Sequence, residues 1–527
     1  MPTKQTISES AANDNELLHE AATSSPPSSD GVRQELATHV SELTKFVEAF
    51  AHAEGYERFE SELIARIFKL GRLFIALFLC LCQERTEVAV TSQRGRARYR
   101  RQPPKPRLLG TFFGKVRYWR TYLHQVNGRG GGYYPVDEKL GLTRDGFSFG
   151  LLARVVELAT KMSYAAAATL TKSFIGWSPS TKTIEEATLG LGRHTQAWFE
   201  QAPPPDNDGD VLIIQIDSKA TPTATEQELE RRRGERRSNP HPNSKRHRGR
   251  HHRSERGSKK RLKRGDKSKN GKMVTLVTMY TLRRTKDEFG EPMLLGPINQ
   301  LHYASYAPKR HALAIAQREA AKRGFGKRTR KTVQVLTDGD NELERLVAEY
   351  FPRAIHTNDI VHCIEYIWKA GACIYKEGSA RLTRWVEARK EQLYQGHISK
   401  MLDDLKKPAS RIKNAKRREH YNKLLDYLIA RASRMNYADL AMADLELATG
   451  AVEGAVRYVV AQRFDEGGMR WIRERAEALL QLRCIQINGH WDQFIAFAHQ
   501  RTLAESNHHA TLLRAQPEPL PTFGLAA

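Results

Sequence analysis

Three carboxylates stand where chemistry could be done. Asp217 ends the apolar run VLIIQID (211–217), Asp338 ends TVQVLTD (332–338), and Glu453 sits in the first turn of the helix-patterned AVEGAVRYVVAQRF. Two aspartates at the ends of neighbouring strands, joined by a glutamate from a packed helix, make an all-oxygen donor set. Such a set suits Mg²⁺, with Mn²⁺ able to substitute, and leaves positions open for phosphate oxygens and water. Two ions about 3.5–4 Å apart stabilise both the attacking and the leaving oxygen of an in-line phosphoryl displacement. Each acid also has a plainer reading. A strand-terminal Asp forms turns or caps helices, Glu453 can complement a helix dipole, and Asp340 and Glu342 compete with Asp338 within TDGDNE.

The elements that must position these acids are legible in the hydrophobic pattern. VLIIQID, MVTLVTMYTL (273–282) and TVQVLTD read as strands, the first and last nearly continuous in apolar residues, as in a sheet covered on both faces. HALAIAQREAAKRG (311–324) and residues 342–351 read as helices, and RAIHTNDIVH as a short strand entering the helix HCIEYIWKA. Residues 376–447 are charge-laced and helical, an all-α insertion between the second and third acids. In the late helix, Val452, Val456, Val459, Val460 and Phe464 share one side. The pattern points to an α/β, ribonuclease H-like nuclease or transposase core.

Upstream of QAPPPDNDGD (201–210), which marks a boundary, the sequence is mainly helical. Tyr56 to Cys82 has helical spacing, with Cys80 and Cys82 as core residues. TFFGKVRYWRTYL predicts a hairpin turning at Gly114-Lys115, and its Arg117 and Arg120 suit either a nucleic-acid surface or an ordinary two-faced strand. SYAAAATLTKSF, ending at Gly176, then WSPS, then a helix capped by Ser180 or Thr181, follow the helix-turn-helix plan. Lys182 and Thr183 fall near the start of the reading helix.

The 527 residues carry a net charge of +25, and residues 231–272 hold 19 Lys and Arg against 3 Asp and Glu. This arm has one leucine and no aromatic residue, too little apolar surface to fold alone. It reads either as a solvated linker or as an arm that neutralises phosphates through Lys245, Arg246, Arg248, Arg250, Lys259, Lys260 and Arg261. Its histidines sit among too many cations, and without cysteine, to favour zinc. Five cysteines are too few for a disulfide scaffold and fit a reducing compartment. The longest clean apolar run, Leu73 to Cys82, is half of what a bilayer span needs. Membrane and secreted classes are thereby disfavoured; the expected setting is cytoplasmic and nucleoid-associated, with a polyanion as partner.

From about residue 108 to 500 the chain resembles bacterial insertion-sequence transposases of the DDE class, and is most similar to the ISKra-type family. LGTFFGKVRYWRTYL, YYPVDEKLGL, VLTDGDNEL, DIVHCIEYIW, ATGAVEGAVRYVVAQRF and GGMRWIRERAEALLQLRCIQINGHWDQF carry the likeness. The resemblance implies that Asp217, Asp338 and Glu453 hold Mg²⁺ ions; no nucleotide cofactor is expected, since the sequence has no Gly-rich phosphate loop with its lysine. It implies cleavage at the element's terminal repeats and joining of the freed 3′-hydroxyl to target DNA, by a homo-oligomer on double-stranded DNA. Ser218-Lys219 stand where a glycine is common after the first aspartate. His362, in an Asp-x-x-His element with Asp359, either contacts DNA or caps its helix. Arg457 either touches phosphate or pairs with Glu453, and Arg470 either touches DNA or packs the last helix.

The organisation expected is a tail at 1–55, a DNA-binding region at 56–205, and a first core segment at 206–375 with its arm at 222–272. The helical insertion at 376–447, a second core segment at 448–505 that carries the Glu453 helix, and a tail at 506–527 complete it. Two rival functions share the pattern: a structure-selective ribonuclease H-like nuclease without strand transfer, and a non-catalytic, transposase-derived DNA-binding protein.

Overall fold

The computed structural model describes residues 27–51, 55–92, 99–125, 132–143, 145–226, 271–326, 331–466 and 471–514. The chain is mixed α/β and forms two compact units. One comprises residues up to 158, 164–187 and those from 496 on; the other comprises 159–163 and 188–495. Among the described residues no helix is long and apolar enough to cross a membrane.

In the first unit, α1 (Ser29–Phe50) and α2 (Tyr56–Ser92) lie side by side. The expected disordered or helical tail at 1–55 is helical over Ser29–Phe50. Val32, His39 and Phe46, spaced by seven, are buried on α1 together with Ser29, whose N–H donates to Glu84 of α2. Phe46 stacks on Phe59 with ring centroids 5.5 Å apart, and the Arg66 guanidinium lies 3.7 Å above its ring. Cys80 and Cys82 are half-buried rather than core. Two short two-stranded sheets follow: β1 (Tyr99–Arg101) with β4 (Leu123–Gln125), and β2 (Lys105–Thr111) with β3 (Gly114–Arg120). The hairpin turn falls at Phe112-Phe113, two residues before the expected place, because Thr111 pairs with Gly114 and its Oγ donates to the Gly114 carbonyl at 2.8 Å.

Then come α3 (Pro135–Leu140), α4 (Phe149–Lys161), α5 (Tyr164–Ile175) and α6 (Thr181–Gly192). Gly176 takes φ +78 just after α5, where a side chain would be strained. Ser180 Oγ caps α6 by accepting from Thr183 N at 3.1 Å. The single helix expected over 181–199 is divided, α7 (Thr195–Gln201) starting afresh after His194.

The second unit is built on a five-stranded sheet of β5 (Val211–Pro222), β6 (Gly271–Lys286), β7 (Pro292–Ser305), β8 (Thr332–Thr337) and β9 (Ile355–Asn358). Their order across the sheet is β7-β6-β5-β8-β9, antiparallel from β7 to β5 and parallel from β5 to β9. Val211, Leu212, Ile213, Ile214 and Ile216 are all fully buried, which is why the run lacks polar alternation. Each such side chain contributes roughly 1.5–3 kcal/mol. β5 continues five residues past Asp217, so that acid lies within the strand and not at its end. β7 is absent from the elements that the hydrophobic pattern predicts; Gly296-Pro297 and Asn299, at φ 50, interrupt its run.

Helix α8 (Lys309–Lys322) packs on β6 and β7, and α9 (Asn341–Tyr350) follows β8. After β9 the chain enters α10 (Ile360–Ile374), α11 (Ala380–Tyr394), α12 (Ile398–Lys406), α13 (Ala415–Ala430) and α14 (Tyr437–Met442). These share one core that includes Ile367, Val386, Leu393, Met401, Tyr421 and Leu428. α15 (Gly450–Ala455) then packs on β5 and β6, and widens into a π-helical segment over Val456–Ala461. α16 (Arg473–Ile487) packs on β7, and α17 (Trp491–Arg514) closes the described chain.

Candidate metal centre

Parallel pairing of β5 with β8 ends at Ile216 opposite Thr337. The next residue along the chain is in each case an acid, Asp217 within β5 and Asp338 just after β8, so the sheet register itself sets these two carboxylates side by side. Asp217 Oδ1 accepts from Ser218 N at 2.6 Å, and Asp338 Oδ1 accepts from Asp340 N at 3.1 Å. Asp340, which competes for the site in sequence, is occupied elsewhere. Its side chain caps α9 through Glu342 N and Leu343 N and pairs with Lys309 at 2.8 Å.

Glu453 reaches the same place from α15. Ligand atoms of Glu453, Asp359 and His362 all lie within 4.8 Å of one another, with Glu453 exposed and Asp359 buried. Asp359 caps α10 through Val361 N at 2.7 Å, and its Oδ2 accepts from His362 Nδ1 at 2.9 Å. Thr449, which precedes α15, donates its hydroxyl to Asp359 Oδ2 and accepts the Glu453 N–H on its carbonyl. His362 does not cap α10 itself: the cap is Asp359, to which His362 is hydrogen-bonded while lying close to Glu453.

Electrostatics bind the cluster together. Burial, reinforced by the negative charges of Asp338 and Glu453, pushes the Asp217 carboxyl up to about 6, against the opposing pull of the Ser218 N–H and the His362 charge. His362 is raised to about 9, chiefly by its hydrogen bond to Asp359. Asp359 is lowered by His362, Thr449 and the Val361 N–H, which together outweigh its burial. At neutral pH one imidazolium thus faces Asp217, Asp338, Asp359 and Glu453. Carboxylates crowded in this way gain from a cation of higher charge, and their oxygens suit a hard divalent ion.

The sequence pattern does not reveal what holds these acids in place. Gln215, two residues before Asp217, is buried under α15. Its Oε1 accepts from Val452 N at 3.0 Å, and its Nε2 donates to the Ala448 carbonyl at 3.3 Å and to Tyr280 Oη at 3.1 Å. Gln334 on β8 does the same one step upstream, donating to the Glu446 carbonyl at 2.7 Å and accepting from Glu446 N at 3.0 Å. The strand that carries Asp217 and the strand that leads into Asp338 therefore both hold the backbone that delivers Glu453. Asp338 is fixed from its far side. Tyr427 Oη donates to the Asp338 carbonyl at 2.8 Å, and Arg431 Nη2 donates to the Gly339 carbonyl at 2.7 Å. Gly339 has φ +85, and a Cβ there would collide with Tyr427 Oη. A polar residue inside an apolar strand run is the available signal for both glutamines.

The remaining expected site residues are dispersed. Arg457 is exposed one turn beyond Glu453. Arg117 is exposed on β3, whereas Arg120 is turned to Asp137 and lies 3.7 Å over the Tyr134 ring. Arg107 and Tyr118 also reach Asp137, at 2.9 and 2.6 Å. Arg120 therefore joins the ionic cluster around Asp137, which is the ordinary two-faced-strand placement of the two that its sequence allows. Lys182 is exposed, 3.6 Å from Glu186, and Thr183 shares a hydroxyl contact with Ser180 at 2.9 Å. Lys245, Arg246, Arg248, Arg250, Lys259, Lys260, Arg261 and Arg470 lie outside the described residues. No family model matches the chain, and no curated protein is detectably similar to it.

Proposed function

We propose that this chain is a DDE-class transposase: it binds the ends of a DNA element, cleaves phosphodiester bonds there and joins the freed 3′-hydroxyls to target DNA. One observation carries the reading. In chain order the sheet runs 3-2-1-4-5, with Asp217 on the central strand, Asp338 directly after its parallel neighbour, and Glu453 on a helix held by Gln215 of the first strand, its lead-in held by Gln334 of the second. That arrangement supports a ribonuclease H-like core, with the helices between β9 and α15 as its insertion. Bound between Asp217, Asp338 and Glu453, Mg²⁺ would supply Lewis acidity at the attacking and leaving oxygens. His362, charged and oriented by Asp359, is placed to donate a hydrogen bond to a phosphate oxygen. Gln215 and Gln334 keep the glutamate in register with the aspartates.

The reading is tested with labelled duplexes carrying the sequences that flank the coding region. Wild type cleaves them with Mg²⁺ and leaves a 3′-hydroxyl that joins to a second duplex. Asp217→Asn, Asp338→Asn and Glu453→Gln each bind the duplex and do not cut, because a carboxamide keeps the shape but loses the metal-holding charge. Cleavage without joining would move the assignment to a nuclease. Undiminished cleavage by any of the three variants would remove that residue from the site.

A further inference from the structure

Among the described residues, helix α2 is covered on one side by α1 and on another by the small sheets, and a third face is open. Ile64, Ile67, Phe74 and Phe78 are 43–55% exposed on it, and Phe113, 37% exposed, rests against Gly71 in their midst. At roughly 150–250 Å² for each large apolar side chain, these five leave about 400–500 Å² of contiguous apolar surface. A monomer rarely leaves so much uncovered without a use for it. The spacing is that of a helix–helix seam, with 64, 71 and 78 on one heptad position and 67, 74 and Leu81 on the other.

We infer that this face is the interface between two copies of the chain, paired antiparallel about a two-fold axis near Gly71. The seam is self-complementary only in that direction. The heptad series continues outward to Glu57 at one end and Arg85 at the other, and both are exposed. Antiparallel pairing sets Glu57 of one copy toward Arg85 of its partner, and the slender Ile64–Ile67 end against the bulky Phe74–Phe78 end. Parallel pairing would set like charge on like charge and phenylalanine on phenylalanine. Two such faces bury about 800–1,000 Å² before the half-buried Leu81 and the charged rim are added, which brings the total into the range of a specific interface.

Sedimentation of the full-length protein over a range of concentrations decides the matter without reference to DNA. Wild type should dimerise, and Phe78→Glu, at a site already exposed in the single chain, should weaken the dimer roughly tenfold or more. Glu57→Arg should weaken it as well, and Glu57→Arg combined with Arg85→Glu should restore it. A monomeric wild type overturns the inference, as does a dimer indifferent to Phe78→Glu. Loss in Glu57→Arg without rescue in the double variant overturns the antiparallel pairing.

Discussion

Asp217→Asn should make the metal-free protein more stable while abolishing the metal binding proposed for it. In the folded chain the Asp217 carboxyl is raised from 3.8 to about 6. The folded state therefore holds a proton that the unfolded state releases between those two values, and stability falls as pH rises through that window. Above pH 6 the full penalty applies. A carboxyl raised this far costs about 3 kcal/mol at 1.36 kcal/mol per pH unit, and the side chain's partial exposure brings the expected effect to about 1–2 kcal/mol. Asparagine has no charge to hold in the cluster and keeps an oxygen to accept from Ser218 N. Denaturation midpoints of wild type and variant, measured in EDTA, should show the variant ahead at pH 7.5 and by about half as much at pH 5. Mg²⁺ should raise the wild type alone. A variant less stable than wild type in EDTA at pH 7.5, or an advantage equal at both pH values, would refute the reasoning.

Three further outcomes are expected. Gln215→Leu and Gln334→Leu should each strand buried backbone groups at about 1–3 kcal/mol apiece, and should weaken Mn²⁺ binding, read by electron paramagnetic resonance, even where the fold survives by circular dichroism. Gly339→Ala should cost about 1–3 kcal/mol for its left-handed backbone, and calorimetry that finds it neutral would contradict the contact with Tyr427. Deleting residues 231–272 should weaken DNA binding for all sequences alike. With each phosphate worth roughly 0.9 in the slope of log K against log salt, losing five contacts lowers that slope by about 4–5; an unchanged slope would make the arm a spacer.

The acids are legible because an acidic residue after a long apolar run is conspicuous and because strand register then brings two such residues together. Their supports are not. Gln215 and Gln334 look like flaws in apolar strands until the partner backbone, more than a hundred residues away, is known. β7 escapes notice because Gly296, Pro297 and Asn299 are turn formers in sequence, and the irregular pairing of β6 with β7 between Met279 and Arg283 accommodates them. The π-helical segment leaves no local signature either. Val456, Val459 and Val460 fit one face of an ordinary α-helix equally well, so the hydrophobic pattern does not register the widening. Arg120 misleads because an alternating cation–aromatic strand looks the same whether its cation meets phosphate or a buried Asp137.

The grip of Gln215 on Val452 spans 237 residues, and that distance orders events during synthesis. On a ribosome, both aspartate strands emerge long before the backbone at 446–453 that the two glutamines hold. A nascent or prematurely ended chain can therefore pair β5 with β8 and still lack the third carboxylate. On the proposed reading the acid cluster is complete only once residue 453 has been made, so a chain ended before that point would hold two of the three carboxylates.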